Sequence, residues 1–216
     1  MSQIGGDYLF ASARPGESDA PVLVVLLDVS GHGIPAALTV NRLQGELMQL
    51  VGENPEVGAG SVLQRLNSYI CITNPENPVI VTGIAARIDP VANSLEIANA
   101  GHPGALLRES SGNLTEIDAT GPLMGIDPES SITWDTERFG FNPGDALIAF
   151  TDGVTEAMDN SRTMYGTEGI RGVIQSQWLE SGQRWPELIR RSVDRYCEGE
   201  PKDDMLIVDV YRPQGA

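Results

Sequence analysis

PVLVVLLDVSGHGIPAAL, residues 21–38, contains a strand, a break and the start of a helix. Val22 to Leu27 is a continuous apolar run rich in β-branched residues, which predicts a buried strand. Asp28-Val-Ser-Gly-His-Gly interrupts it. Pro35 then stands early in the next element, where a missing N–H costs nothing. Leu38, Leu43, Leu47, Leu50 and Val51 recur at helical spacing, so a helix is expected from about Ile34 to Val51.

Outward from this stretch the pattern continues. A second helix is expected over Ser61–Ile72, with Val62, Leu63, Leu66 and Ile70 on one side. Strands follow at Val79–Ile88 and Ser94–Asn99, separated by the turn cluster Asp-Pro-Val-Ala-Asn. Ala105–Arg108 and Leu114–Ile117 flank Ser-Ser-Gly-Asn, a hairpin signal. Ile132–Phe139 and Asp145–Phe150 read as further strands, Thr167–Trp178 and Trp185–Tyr196 as helices, and Leu206–Tyr211 as a last strand. Two helix pairs with a run of strands between them are not the alternation of a doubly wound sheet. They predict an α+β domain of mostly antiparallel sheets covered by helix pairs.

The chain has 216 residues and is 41% hydrophobic, which suits one globular domain over 1–216. Its formal charge of −16 argues against a nucleic-acid partner or an anionic membrane surface, both of which select clustered Lys and Arg. The 2 cysteines, Cys71 and Cys197, have neither zinc nor disulfide spacing, and reduced thiols in the cytoplasm are expected. The longest apolar run, Pro21 to Leu27, is too short to span a bilayer, and no signal peptide is evident.

Four segments place Asp beside Gly or another Asp at the edges of apolar runs: Gly5-Gly6-Asp7, Asp28-Val29-Ser30-Gly31, Thr151-Asp152-Gly153 and Asp203-Asp204. Any one alone is an ordinary turn. Together they are carboxylates at several strand ends, which repel one another unless protonated or neutralised by cations. Hard oxygen donors without His or Cys fit magnesium or manganese rather than zinc, and the arrangement suits a two-metal site.

The ordered set IGGDY, DVSGHGIPAAL, VTG, NAGHP, GPLMGI, TDGVTEA and DDM resembles the type 2C metal-dependent (PPM-type) protein phosphatases, in their bacterial SpoIIE/RsbU-like branch, from about Ile4 to Val210. The resemblance implies an αββα sandwich of two mostly antiparallel sheets flanked by helix pairs. It implies two Mn2+ or Mg2+ ions, with Asp28 bridging them and the Val29 carbonyl adding a ligand. Asp7 would hold the second ion, Asp152 and Asp203 the first, with Asp204 an adjacent candidate. Catalysis would rest on Asp28 and Asp152, and a metal-activated water would attack phosphoserine or phosphothreonine in line. The implied partner is a phosphorylated regulatory protein such as an anti-sigma-factor antagonist. An upstream sensor domain or a homodimer is left open.

Leu206 stands where the family pattern has Thr, which would loosen hydrogen bonding around Asp203. The strand normally preceding Gly-Gly-Asp is nearly absent, so a shortened first strand or a truncated chain is expected, with weaker edge support for Asp7. His32 lies four residues after Asp28, and Ser30 occupies the place of the family's general acid; His32 is read as a loop residue ahead of a catalytic one. His102 is read as a turn residue near the site, with substrate contact as the other reading.

Two rival readings stand against the phosphatase. Gly31-His-Gly33-Ile-Pro-Ala36 matches a dinucleotide loop, but Asp28 would face pyrophosphate with like charge and no second acid-tipped parallel strand follows. A catalytically weak or inactive binding module of the same fold, in a partner-switching system, would have lost a metal carboxylate, and none of the expected ones is missing.

Overall fold

The computed structural model describes residues 5–12, 19–74, 78–126, 132–176, 184–197 and 204–214. They group into two compact units, Met1–His102 with Asp118–Phe141, and Pro103–Ile117 with Asn142–Ala216.

The first unit is built on a five-stranded antiparallel sheet in the order β1-β2-β3-β4-β7. The strands are β1 Asp7–Ser12, β2 Val22–Val29, β3 Val81–Asp89, β4 Ser94–Ala100 and β7 Glu137–Gly140. Two helices, α1 Ile34–Glu53 and α2 Ala59–Thr73, share its core. Leu23, Val25, Leu27 and Val29 of β2 alternate onto that core beside Leu43 and Leu47 of α1 and Leu63 and Leu66 of α2. Alternation therefore turns Val24, Leu26 and Asp28 to the other face of the sheet. The same parity puts Asp7 of β1 and Thr82 of β3 on that face, because they lie directly opposite Asp28 in the register.

The second unit holds a four-stranded antiparallel sheet in the order β6-β5-β8-β9. Its elements are β5 Ala105–Arg108, β6 Leu114–Ile117, β8 Ala146–Phe150, the one-turn α3 Asp152–Thr155, α4 Gly166–Ser176, α5 Trp185–Tyr196 and β9 Ile207–Tyr211. Ile148 and Phe150 of β8 pack with Ile170 and Val173 of α4 and with Trp185, Ile189 and Val193 of α5. Every residue of β8 is buried, which is why it reads as an unbroken apolar run.

The α+β class, the antiparallel pairing and both helix pairs are as expected. Three elements differ. The strand expected over Ile132–Phe139 is confined to Glu137–Gly140. Ahead of it Trp134 is buried and donates its indole N–H to the Pro122 carbonyl at 2.7 Å, so residues 132–136 are held by a side chain rather than by a ladder. β1 was not foreseen: a strand follows Gly5-Gly6, and it gives Asp7 a paired neighbour. The turn of helix at Asp152 was also missed, being too short to show a period. The C-terminal end of the helix expected to Trp178 lies outside the described residues.

No helix among the described residues is long and apolar enough to cross a membrane.

Candidate metal centre

Asp28 lies inside β2, next to its last residue, rather than beyond the strand end. Asp7 is its partner on β1 and Thr82 its partner on β3. All three are half-buried. Residues directly opposite on antiparallel strands have Cβ atoms about 4.5–5.5 Å apart, and like charges so placed destabilise the pair. Two half-buried carboxylates so placed offer hard oxygens that suit a divalent ion such as magnesium or manganese.

Val29 is buried and follows directly. Its N–H donates to the Gly6 carbonyl at 3.2 Å. A Cβ on Gly6 would lie 2.1 Å from the Val29 carbonyl oxygen, so only glycine fits there. Beyond β2, Ser30 donates its N–H to the Ile80 carbonyl at 2.9 Å, and its hydroxyl accepts the Ile80 N–H at 3.3 Å. Gly31 and Gly33 adopt φ of 95° and 79°, left-handed values that let the chain turn from strand into α1. His32 between them is exposed.

His102 is buried, 4% exposed, in the turn between β4 and β5. Its Nδ1 lies 2.8 Å from the Thr82 hydroxyl. Its N–H donates to Asn99 Oδ1 at 2.8 Å, and Asn99 Nδ2 donates back to the His102 carbonyl at 3.2 Å. Thr82 thus stands between Asp28 and His102. Sequence reasoning quoted both VTG and NAGHP but assigned Thr82, Asn99 and Gly6 no role; only cross-strand register exposes them.

In the second unit, Asp152 is the first residue of α3 and half-buried. Thr151 before it is fully buried. Thr151 donates its N–H to the Leu206 carbonyl at 3.0 Å, and its hydroxyl accepts the Leu206 N–H at 3.0 Å. These bonds extend the β8–β9 pairing by one residue and set the segment of Asp204 beside the start of α3. Leu206 is tied to β8 by these two bonds, and the hydrogen bonding around Asp203 that Leu206 was expected to loosen lies outside the described residues. Asp203 lies outside the described residues. Among the described residues no group of three or more His, Cys, Asp or Glu side chains forms a ready-made cage.

The family profile for Stage II sporulation protein E (SpoIIE) matches residues 18–213. This chain belongs to that family. Phosphoserine phosphatase RsbU of Bacillus subtilis is 25% identical over 215 residues, 97% of this chain and 60% of RsbU. The chain spans between 23% and 60% of the lengths of the curated relatives it matches. Among solved structures, the SiaA-PP2C domain of Pseudomonas aeruginosa superposes with a TM-score of 0.79 at 16% identity, covering 97% of this chain and 81% of that one. The catalytic domain of the serine threonine protein phosphatase PstP, in complex with 2 manganese ions, superposes with a TM-score of 0.63 at 16% identity, covering 95% and 90%. At those identities the likeness shows the fold, which is that of the PP2C domains.

Proposed function

We propose that this chain, residues 1–216, is one phosphatase domain that hydrolyses phosphoserine or phosphothreonine on a protein, using two Mn2+ or Mg2+ ions. The observation that carries the reading is the opposed, half-buried pair Asp7 and Asp28 on adjacent strands. Membership of the SpoIIE family supports it, as do the phosphoserine phosphatase activity of RsbU and the manganese of PstP.

In this reading Asp28, Asp7 and the Val29 carbonyl would hold metal on one side. Asp152 and Asp203 would hold it on the other, with Asp204 as a neighbouring candidate. When bound, two divalent ions would lower the pKa of a water molecule and neutralise charge on the transferring phosphoryl group. The chain itself orients the carboxylates. β1 and β3 flank Asp28, and His102 holds Thr82 beside it. His32 is exposed in the loop and has no part in the reaction. The substrate is a phosphorylated regulatory protein, with an anti-sigma-factor antagonist as the fitting class. A neighbouring sensor domain or a second copy of the chain is the regulator. Cys71 and Cys197, neither in a disulfide, fit a reducing cytoplasm.

The test is hydrolysis of p-nitrophenyl phosphate and of a phosphoserine protein with and without manganese, beside a calorimetric manganese titration. Metal-dependent release of phosphate is expected. Tight partner binding with no turnover at saturating manganese would instead make the chain a binding module.

A further inference from the structure

The second unit carries a cleft of about 560 Å³ between α4 and α5. Its apolar lining is Val173, Leu188 and the rings of Tyr165 and Tyr196, which meet edge-on at 5.2 Å between centroids. Both tyrosines are fixed by their hydroxyls: Tyr165 donates to Ser192 Oγ at 2.8 Å, and Tyr196 to the Thr163 carbonyl at 3.2 Å. The rings are thus held in place; Tyr165 and Val173 are buried and form the floor, and the half-buried Leu188 and Tyr196 give the cleft its open apolar surface.

The charges on the rim are unusual for this protein. The chain has only 14 Lys and Arg against 30 Asp and Glu, and several described arginines are committed to ion pairs. Arg65 pairs with Glu46, Arg87 with Glu56, Arg138 with Glu96, Arg171 with Glu116 and Arg190 with Asp194. Arg191 and Arg195 both line the cleft, one helical turn apart and exposed, and neither forms an ion pair among the described residues. The nearby acids do not serve them: Glu168 pairs with Arg171, Asp194 with Arg190, and Glu187 pairs with neither. In a chain of net charge −16, an apolar trough edged by two unpaired guanidinium groups complements an apolar stripe edged by carboxylates.

The cleft follows α4 from Tyr165 to Ser176, about 16 Å at 1.5 Å per residue, which suits a polypeptide segment better than a single small anion. Gly172 leaves room beside it, since a Cβ there would meet nothing within 4 Å. Side chains four apart on a helix are about 5–6 Å from each other, so two acids at that spacing can face Arg191 and Arg195. We infer that the α4–α5 cleft is a docking surface for an acidic amphipathic helix of a protein partner, laid with its apolar stripe on the tyrosines and its carboxylates on Arg191 and Arg195. The inference concerns binding alone and does not rest on the phosphatase reading.

The test uses the full chain and a fluorescent helical peptide with leucines on one face and two glutamates one turn apart, followed by anisotropy. Saturable binding is expected, weakening with added salt, and weakening at least tenfold when the glutamates become glutamines. The variant R191E/R195E should lose binding by a similar factor, and Gly172→Leu should lose it by filling the trough. Melting temperature and p-nitrophenyl phosphate turnover should stay as in the wild type for R191E/R195E. Absence of saturable binding to the wild type overturns the inference. So does equal binding by R191E/R195E, or displacement of the peptide by citrate at matched charge, which would mark a small-anion site.

Discussion

Asp28 and Asp152 are both acids at the edge of an apolar run, yet the fold holds them in different ways. Asp28 sits within a ladder, with Asp7 on one side and Thr82 on the other. Asp152 stands just past the end of β8, where the chain turns into α3, and its neighbour Thr151 makes two bonds to the single residue Leu206. The first carboxylate is fixed by the register of three strands, and the second by one buried threonine. The first therefore faces a like charge across the ladder, and the second depends on local hydrogen bonding. Each variant below acts on one side of that contrast.

The largest effect is expected from the carboxylates themselves. Asp28→Ala and Asp152→Ala should each lower metal-dependent turnover by roughly a thousandfold or more, since each removes a proposed ligand of the reacting centre. Their metal-free stabilities should diverge. Asp28→Ala removes a like charge opposite Asp7, worth about 0.2–1 kcal/mol, and should raise the melting temperature by roughly 1–3 °C without metal. Asp152→Ala should leave it nearly unchanged. Near-normal turnover in either variant, or a lower metal-free melting temperature for Asp28→Ala, would break the contrast.

Gly6→Ala probes the strand side without touching a carboxylate. Its Cβ would sit 2.1 Å from the Val29 carbonyl oxygen, a backbone atom that cannot swing away. Overpacking of this kind costs about 1–3 kcal/mol. Because that carbonyl is a proposed ligand, manganese affinity should fall at least tenfold by calorimetry while the fold persists. Unchanged affinity would show that β1 does not position Val29.

Thr151 probes the other side. Thr151→Val leaves the Leu206 N–H without its acceptor at a fully buried residue, at about 1–3 kcal/mol, whereas Thr151→Ser keeps the hydroxyl. Turnover at saturating manganese should drop about tenfold in the valine variant and recover in the serine variant. Equal activity of the two would mean that the tie to β9 does not position Asp152.

The contrast also explains what could be read from the sequence. β2, α1, α2, β5, β6, β8 and α5 announce themselves because each buries a face, and burial writes a period into the residues. Asp7, Asp28 and Asp152 were singled out because each stands at the edge of an apolar run. Gly6, Thr82, Asn99 and Thr151 were not, although they support the proposed site, because their roles come from atoms distant in sequence: a carbonyl across a ladder, a histidine 20 residues on, an amide 55 residues on. β1 was missed for a related reason. DYLFAS alternates only weakly, and it pairs because β2 offers it an edge.

The smallest effect is expected at a strand carboxylate outside the proposed site. Asp209 lies on β9 between Ile207 and Tyr211, on the face that packs under α5. Burial pushes its carboxyl above the ordinary range, against the opposing pull of the Trp185 N–H and of Arg184. Its Oδ2 has no partner among the described residues. A folded-state pKa above the unfolded value means that the native protein holds this proton more tightly. Asp209 then contributes stability that is fully present below the unfolded pKa and is lost as pH rises through the folded one. At neutral pH the carboxylate is a liability. Asp209→Asn keeps an oxygen for the Trp185 N–H and replaces a charge by an amide, whose burial costs less than a charge's. The variant should therefore melt slightly above the wild type at pH 7, with the gap closing as pH falls toward the ordinary carboxylate range. Its manganese-dependent turnover should be unchanged. A gap that widens on acidification would reverse the sign argued here. Loss of turnover as deep as that of Asp152→Ala would place Asp209 among the metal-holding acids and remove the distinction between a carboxylate held for metal and one merely buried.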